Sequence, residues 1–101
     1  MSKIYSIDEL ISLISPIAKD IGVQKVALFG SYAMGTPTPE NDIDLLIDKG
    51  AIHGLFRFNT FVSAVLDALQ KPVDVMTYSS LDKSLIKDYV KNEIVLYEQL
   101  W

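Results

Sequence analysis

Two acids one residue apart, Asp42 and Asp44, follow the pair Gly30-Ser31 in the arrangement G-S-x10-D-x-D. In an extended strand successive side chains point to opposite faces, so Asp42 and Asp44 share one face while Ile43, Leu45 and Ile47 share the other. Two anions held that close repel unless something offsets them. A hard divalent cation does so, and Mg²⁺ is typically held by one or two carboxylates together with substrate phosphates. Gly30 admits backbone conformations closed to other residues. A turn placed after a strand can aim its N–H groups at an anion, helped by the dipole of a following short helix over Tyr32-Ala-Met34, and Ser31 adds a hydroxyl donor. Each half alone has a plainer reading: D-x-D as the solvated face of a strand, Gly-Ser as an ordinary turn with a serine cap. Joined at this spacing, they read as the phosphate turn and metal pair of a nucleotidyl-transfer site.

These residues need elements to carry them. Lys25-Val-Ala-Leu-Phe29 is an apolar, β-prone run that delivers Gly30, and Asp42-Ile-Asp-Leu-Leu-Ile-Asp48 is a second run that carries the acids. Between them, Thr36-Pro-Thr-Pro-Glu-Asn41 has loop composition, stiffened by two prolines. Upstream, Ser6-Ile-Asp-Glu9 has the form of a capping box, and Ile7, Leu10, Ile14, Ile17 and Ile21 recur at helical spacing up to Gly22. Pro16 lies inside that pattern and predicts a kink, or two short helices with Ser15 capping the second. Downstream, Leu55, Phe58, Val62, Val65, Leu66 and Leu69 form a helical stripe ending near Gln70. Pro72-Val-Asp-Val-Met76 reads as a third strand, Ser79-Ser-Leu-Asp82 as the start of a last helix with Leu81, Leu85, Ile86, Tyr89 and Val90 apolar, and Ile94-Val-Leu-Tyr97 as a fourth strand. The alternation of helices and strands predicts one α/β sandwich.

Composition narrows the function. The chain has 101 residues, half of them apolar, enough for one modest core and no second domain. A formal charge of −4 argues against direct binding of DNA or RNA, which needs clustered Lys and Arg. No cysteine and one histidine leave only carboxylates for a metal. With no apolar signal core at the start and no apolar run of about 18 residues, a cytoplasmic chain without a membrane segment is expected.

Phe29-Gly-Ser-Tyr-Ala-Met-Gly35, Asn41-Asp-Ile-Asp-Leu-Leu-Ile47 and Lys71-Pro-Val-Asp-Val75 together resemble the minimal nucleotidyltransferases of the DNA polymerase β superfamily, over nearly the whole chain. The resemblance implies a single domain over residues 1–101, with a polymerase-β-like mixed sheet flanked by helices. It carries the phosphate role to Gly30 and Ser31. It makes Asp74, which the Val73-Asp-Val75 pattern sets on an exposed strand face, the third catalytic carboxylate beside Asp42 and Asp44. Three such acids would hold up to two Mg²⁺ ions about 3.5–4 Å apart. Asp74 would also accept the proton of the attacking hydroxyl. Many family members are antitoxins paired with a helical HEPN ribonuclease toxin. The implied reaction is therefore transfer of AMP from ATP to a tyrosine hydroxyl of that toxin, in a hetero-oligomer with it; self-association is a further expectation.

Other residues carry less. Asp48 is expected in a turn or cap, His53 in an exposed loop, and Phe56, Phe58 and Phe61 in a core or interface. Met34 departs from the family pattern Gly-Ser-x-Ala-Arg-Gly, in which arginine takes its place; Lys25, Lys49 or a partner residue would have to compensate. This departure favours a second reading, an antitoxin that is catalytically weak and blocks its toxin sterically. A free-standing transferase acting on a small molecule lacks the substrate domain it would need.

Overall fold

Helix α1 (Ile7–Ile21) starts on the capping box: the Glu9 amide donates to Ser6 Oγ at 3.1 Å, and the Ser6 amide donates to Glu9 Oε1 at 3.0 Å. This satisfies two backbone donors that a helix start leaves open. Gly22 ends it at φ 98°, its amide bonded to Ala18 O. In the computed structural model, which describes residues 4–35, 38, 42–48, 50, 54–80 and 93–99, α1 runs unbroken through Pro16, not as two helices. The proline ring deprives only the Ser12 carbonyl of its donor, and Ser12 and Pro16 are both exposed, so water can serve it. Ser15 caps no second helix; its hydroxyl donates to Leu96 O at 3.3 Å.

The remaining elements follow the expected order: β1 (Lys25–Phe29), α2 (Gly30–Ala33), β2 (Ile43–Asp48), α3 (Gly54–Leu69), β3 (Val73–Thr77), a 3-10 turn (Tyr78–Ser80) and β4 (Ile94–Glu98). The sheet order is β3-β2-β1-β4, with β1 antiparallel to β2 and β4, and β2 parallel to β3. A parallel pair cannot be joined by a tight turn, and α3 supplies the crossover. The mixed sheet flanked by helices is therefore present. Of the last helix, expected to start at Ser79-Ser-Leu-Asp82, Ser79 and Ser80 belong to the 3-10 turn, and the rest lies outside the described residues.

Helices α1 and α3 lie on one sheet face, with Leu10, Ile14, Ala18, Phe61, Val65 and Leu69 packed on Val26, Leu28, Ile43, Leu45 and Ile47. The two helices run antiparallel: Tyr5 Oη donates to Leu69 O at 2.6 Å near one end, and Arg57 Nη1 donates to Ile21 O at 2.8 Å near the other. The α3 stripe is turned from its expected phase. Phe61, Val65 and Leu69 are its buried line, whereas Leu66 is 38% exposed. Apolar residues occur there as neighbours, Phe61-Val62 and Val65-Leu66, so sequence leaves the phase open and packing against α1 fixes it. On the opposite sheet face, Ala27 and Leu46 are fully buried. Among the described residues no helix is long and apolar enough to cross a membrane.

Candidate active site

Strand β1 ends at Phe29 and hands the chain to Gly30, whose φ of 72° lies in the left-handed region that favours glycine. The turn continues directly into α2, where the Met34 amide closes on Gly30 O at 3.1 Å. Ser31 stands in the first turn of α2, and its side chain lies outside the description. The antiparallel register sets Phe29 opposite Asp44, and the parallel register sets Asp44 opposite Asp74. Neighbouring strands lie about 5 Å apart, so Gly30, Asp44 and Asp74 form a row across three strands at one end of the sheet. Asp42 stands immediately before β2, at the same end.

Alternation does the sorting. Ile43, Leu45 and Ile47 turn to the helices and are fully buried; Asp44 turns the other way and is half-buried, while Asp42 and Asp74 are exposed. Partial burial pushes the Asp44 carboxyl above its ordinary value, and the charges of Asp74 and Asp42 push it further in the same direction. Both effects disfavour a third negative charge in the row. Gly30 touches the same group: a Cβ at position 30 would collide with Asp44 Oδ2. Asp42, Asp44, Asp74 and the backbone of Gly30 and Ser31 therefore lie near one end of the sheet.

The donor set is three hard oxygen ligands, with Asp44 destabilised as an anion by its neighbours. That set fits a divalent cation such as Mg²⁺, which would relieve the repulsion. Among the described residues, no three His, Cys, Asp or Glu side chains are drawn together closely enough to form a finished metal cage. Asp42, Asp44 and Asp74 thus stand as neighbouring carboxylates and not as a formed metal site.

Two flanking expectations resolve differently. Asp48 takes the turn role, accepting the Gly50 amide on Oδ1 at 3.1 Å. Lys25 does not replace the missing arginine. It opens β1, opposite Asp48 and Glu98 and at the far end of the strand from Gly30. There its Nζ lies 2.8 Å from Glu93 Oε1 and 5.1 Å from the centre of the Tyr78 ring, while Tyr78 Oη donates to Glu93 Oε2. Burial alone would lower the Lys25 pKa, but its bonds to Glu93 and Tyr78 prevail and raise it. Burial, with the Glu93 bond, pushes the Tyr78 hydroxyl up to about 12. Nothing in the sequence signals this cluster, whose members stand up to 68 positions apart. Met34 is 69% exposed at the end of α2. Lys49 and His53 lie outside the described residues. A groove of about 490 Å³ lined by Tyr5, Asp8, Glu9, Ser12 and Leu13 belongs to α1, on the helix side of the sheet, and contains none of these residues.

Comparison with known proteins bears on the family and the fold. Residues 12–100 match the family described as polymerase beta, nucleotidyltransferase. A Methanocaldococcus jannaschii chain provisionally named a protein adenylyltransferase is 36% identical over 89% of this chain and 96% of its own length. The protein adenylyltransferase MntA of Thermococcus cleftensis is 31% identical over 89% of this chain and 94% of its own length. Among solved structures, a tri-AMPylated Shewanella oneidensis HEPN toxin in complex with MNT antitoxin contains a chain that superposes with a TM-score of 0.68, at 20% identity, over 93% of this chain and 74% of that one. At that identity the likeness is one of fold.

Proposed function

Since this chain belongs to the polymerase β nucleotidyltransferase family, we propose that it is the antitoxin of a toxin–antitoxin pair, transferring AMP from ATP to a tyrosine hydroxyl of a cognate HEPN ribonuclease toxin in a Mg²⁺-dependent reaction. The observation that carries this reading is the row of Gly30, Asp44 and Asp74 across three strands, with Asp42 at its rim. The names of the MntA relative and of the AMPylated toxin complex supply the acceptor class. A chain of net charge −4 is better suited to a protein acceptor than to nucleic acid. One domain over residues 1–101, working in the cytoplasm and bound to its toxin, completes the proposal.

Gly30 and Ser31 seat the nucleotide phosphates on backbone and hydroxyl donors, orienting the α-phosphorus toward the incoming acceptor. Asp42, Asp44 and Asp74 would hold Mg²⁺. When bound, the cations offset negative charge on the transferring phosphoryl group and on the leaving pyrophosphate. The tyrosine oxygen forms a bond to the α-phosphorus as the bond from that phosphorus to the bridging oxygen breaks. Pyrophosphate departs, and Asp74, exposed on the edge strand β3, accepts the hydroxyl proton.

The test is incubation of the purified chain with labelled ATP, Mg²⁺ and the HEPN protein encoded beside it, followed by mass analysis of both proteins. An adenylyl group on a toxin tyrosine is the expected result. Label on neither protein, with the toxin still bound and silent, would establish instead the steric antitoxin that the exposed Met34 favours.

A further inference from the structure

Any L-residue other than glycine at position 30 would place a Cβ against Asp44: it would collide with Oδ2 and lie 3.4 Å from Cγ and 3.6 Å from the Asp44 Cβ. One carboxylate oxygen of Asp44 therefore occupies the space that a side chain at 30 would fill. Gly35 provides an internal contrast. Its φ of 79° is close to the 72° of Gly30, yet a Cβ there would meet nothing within 4 Å. Backbone conformation alone accounts for glycine at 35, whereas at 30 the carboxylate makes a second demand. The register explains the contact, since Asp44 pairs with Phe29 and so lies beside the residue that follows it.

We infer that Gly30 is a positioning residue for Asp44: its bare Cα seats the carboxylate so that Oδ2 lies against the α2 turn, bringing the metal-holding acid and the phosphate-facing backbone together. The inference rests on the reading of Asp44 as a cation-holding carboxylate. A methyl at 30 would displace only the far end of one side chain, which the fold can absorb. A ligand oxygen has less latitude, because such constellations must be held within about 0.5 Å.

The experiment uses Mn²⁺ alone, without nucleotide, and follows the free ion by electron paramagnetic resonance in the wild type, Gly30→Ala and Gly35→Ala, with circular dichroism as the control for folding. Gly30→Ala should lose about tenfold or more in Mn²⁺ affinity, the range found when the supports of a metal ligand are removed. Gly35→Ala, equally strained in its backbone, should keep wild-type affinity. Equal binding by the wild type and Gly30→Ala overturns the positioning role and leaves the cation reading intact, as does an equal loss in both glycine variants. A wild type that takes up no Mn²⁺ overturns the cation reading and this inference with it. Should Gly30→Ala fail to fold, adding Asp44→Ala removes the atom it strikes. Recovery of the fold supports the contact, and continued failure overturns it.

Discussion

Replacing Asp44 by Asn keeps the shape of the side chain beside Gly30 and removes the central charge of the row. Two unit charges about 5 Å apart repel by about 0.8 kcal/mol in bulk water and about 3 kcal/mol at an effective dielectric near 20. Asp44 is half-buried but both neighbours are exposed, so the water-like limit applies and salt trims it further. Counting Asp42 and Asp74 together, Asp44→Asn should stabilise the metal-free protein by about 1 kcal/mol at neutral pH and low salt. The sign follows from linkage. The folded pKa of Asp44 is raised above the ordinary value of 3.8, so the folded state binds the extra proton between the two values and stability falls as pH rises through that window. The advantage of Asn should accordingly be present above the raised pKa and absent well below 3.8. Urea unfolding of both proteins in chelator, at neutral and acid pH and at low and high salt, measures it. Adding Mg²⁺ should then stabilise the wild type and leave the variant unmoved, because only a state that binds the ion gains from it. A variant no more stable than the wild type at neutral pH, or equally favoured in acid, would refute the claim that the three acids form one repelling cluster.

The double change Asp42→Asn, Asp44→Asn should leave toxin binding intact while abolishing neutralisation of the toxin in growing cells; full protection by a folded, toxin-bound double variant that transfers no nucleotide would remove the enzymatic reading. Met34→Arg should raise turnover or nucleotide affinity, since a guanidinium beside the phosphate turn can make bidentate contacts, and steady-state kinetics that show no gain would mean that another group already serves. Phe61→Ala, which empties the fully buried centre of α3, should cost about 3–5 kcal/mol in chemical denaturation. Titration calorimetry of ATP should show weaker binding once divalent ions are chelated, and equal affinity in both conditions would take the metal out of the site.

Much of the site was legible because strand alternation is rigid: the apolar Ile43, Leu45 and Ile47 force Asp44 to the other face, and the same logic exposes Asp74. What alternation could not supply was adjacency. That Asp44 faces Asp74 depends on β2 and β3 pairing in parallel register, a fact held by α3 and the core beneath it, and only the family resemblance had placed them together. The two-helix alternative at Pro16 failed because propensity speaks for an isolated helix, whereas Leu10, Ile14 and Ala18 hold α1 to the sheet on both sides of the ring. The seat of Asp44 on Gly30 escaped notice because a glycine in a turn has a sufficient local reason to be there. Lys25 looked available for phosphate because its partners, Tyr78 and Glu93, arrive from distant parts of the chain.

The two sides of the carboxylate row are also unequal in sequence distance. Phe29, which leads into Gly30, and Asp44 belong to strands paired antiparallel and close in sequence, while Asp74 arrives by a crossover that must first build α3. Loop closure makes the nearer pairing quicker to form and the parallel one slower. During synthesis, the antiparallel half of the carboxylate row can therefore form before β3 has a place to dock, and the row becomes whole only with the completed sheet.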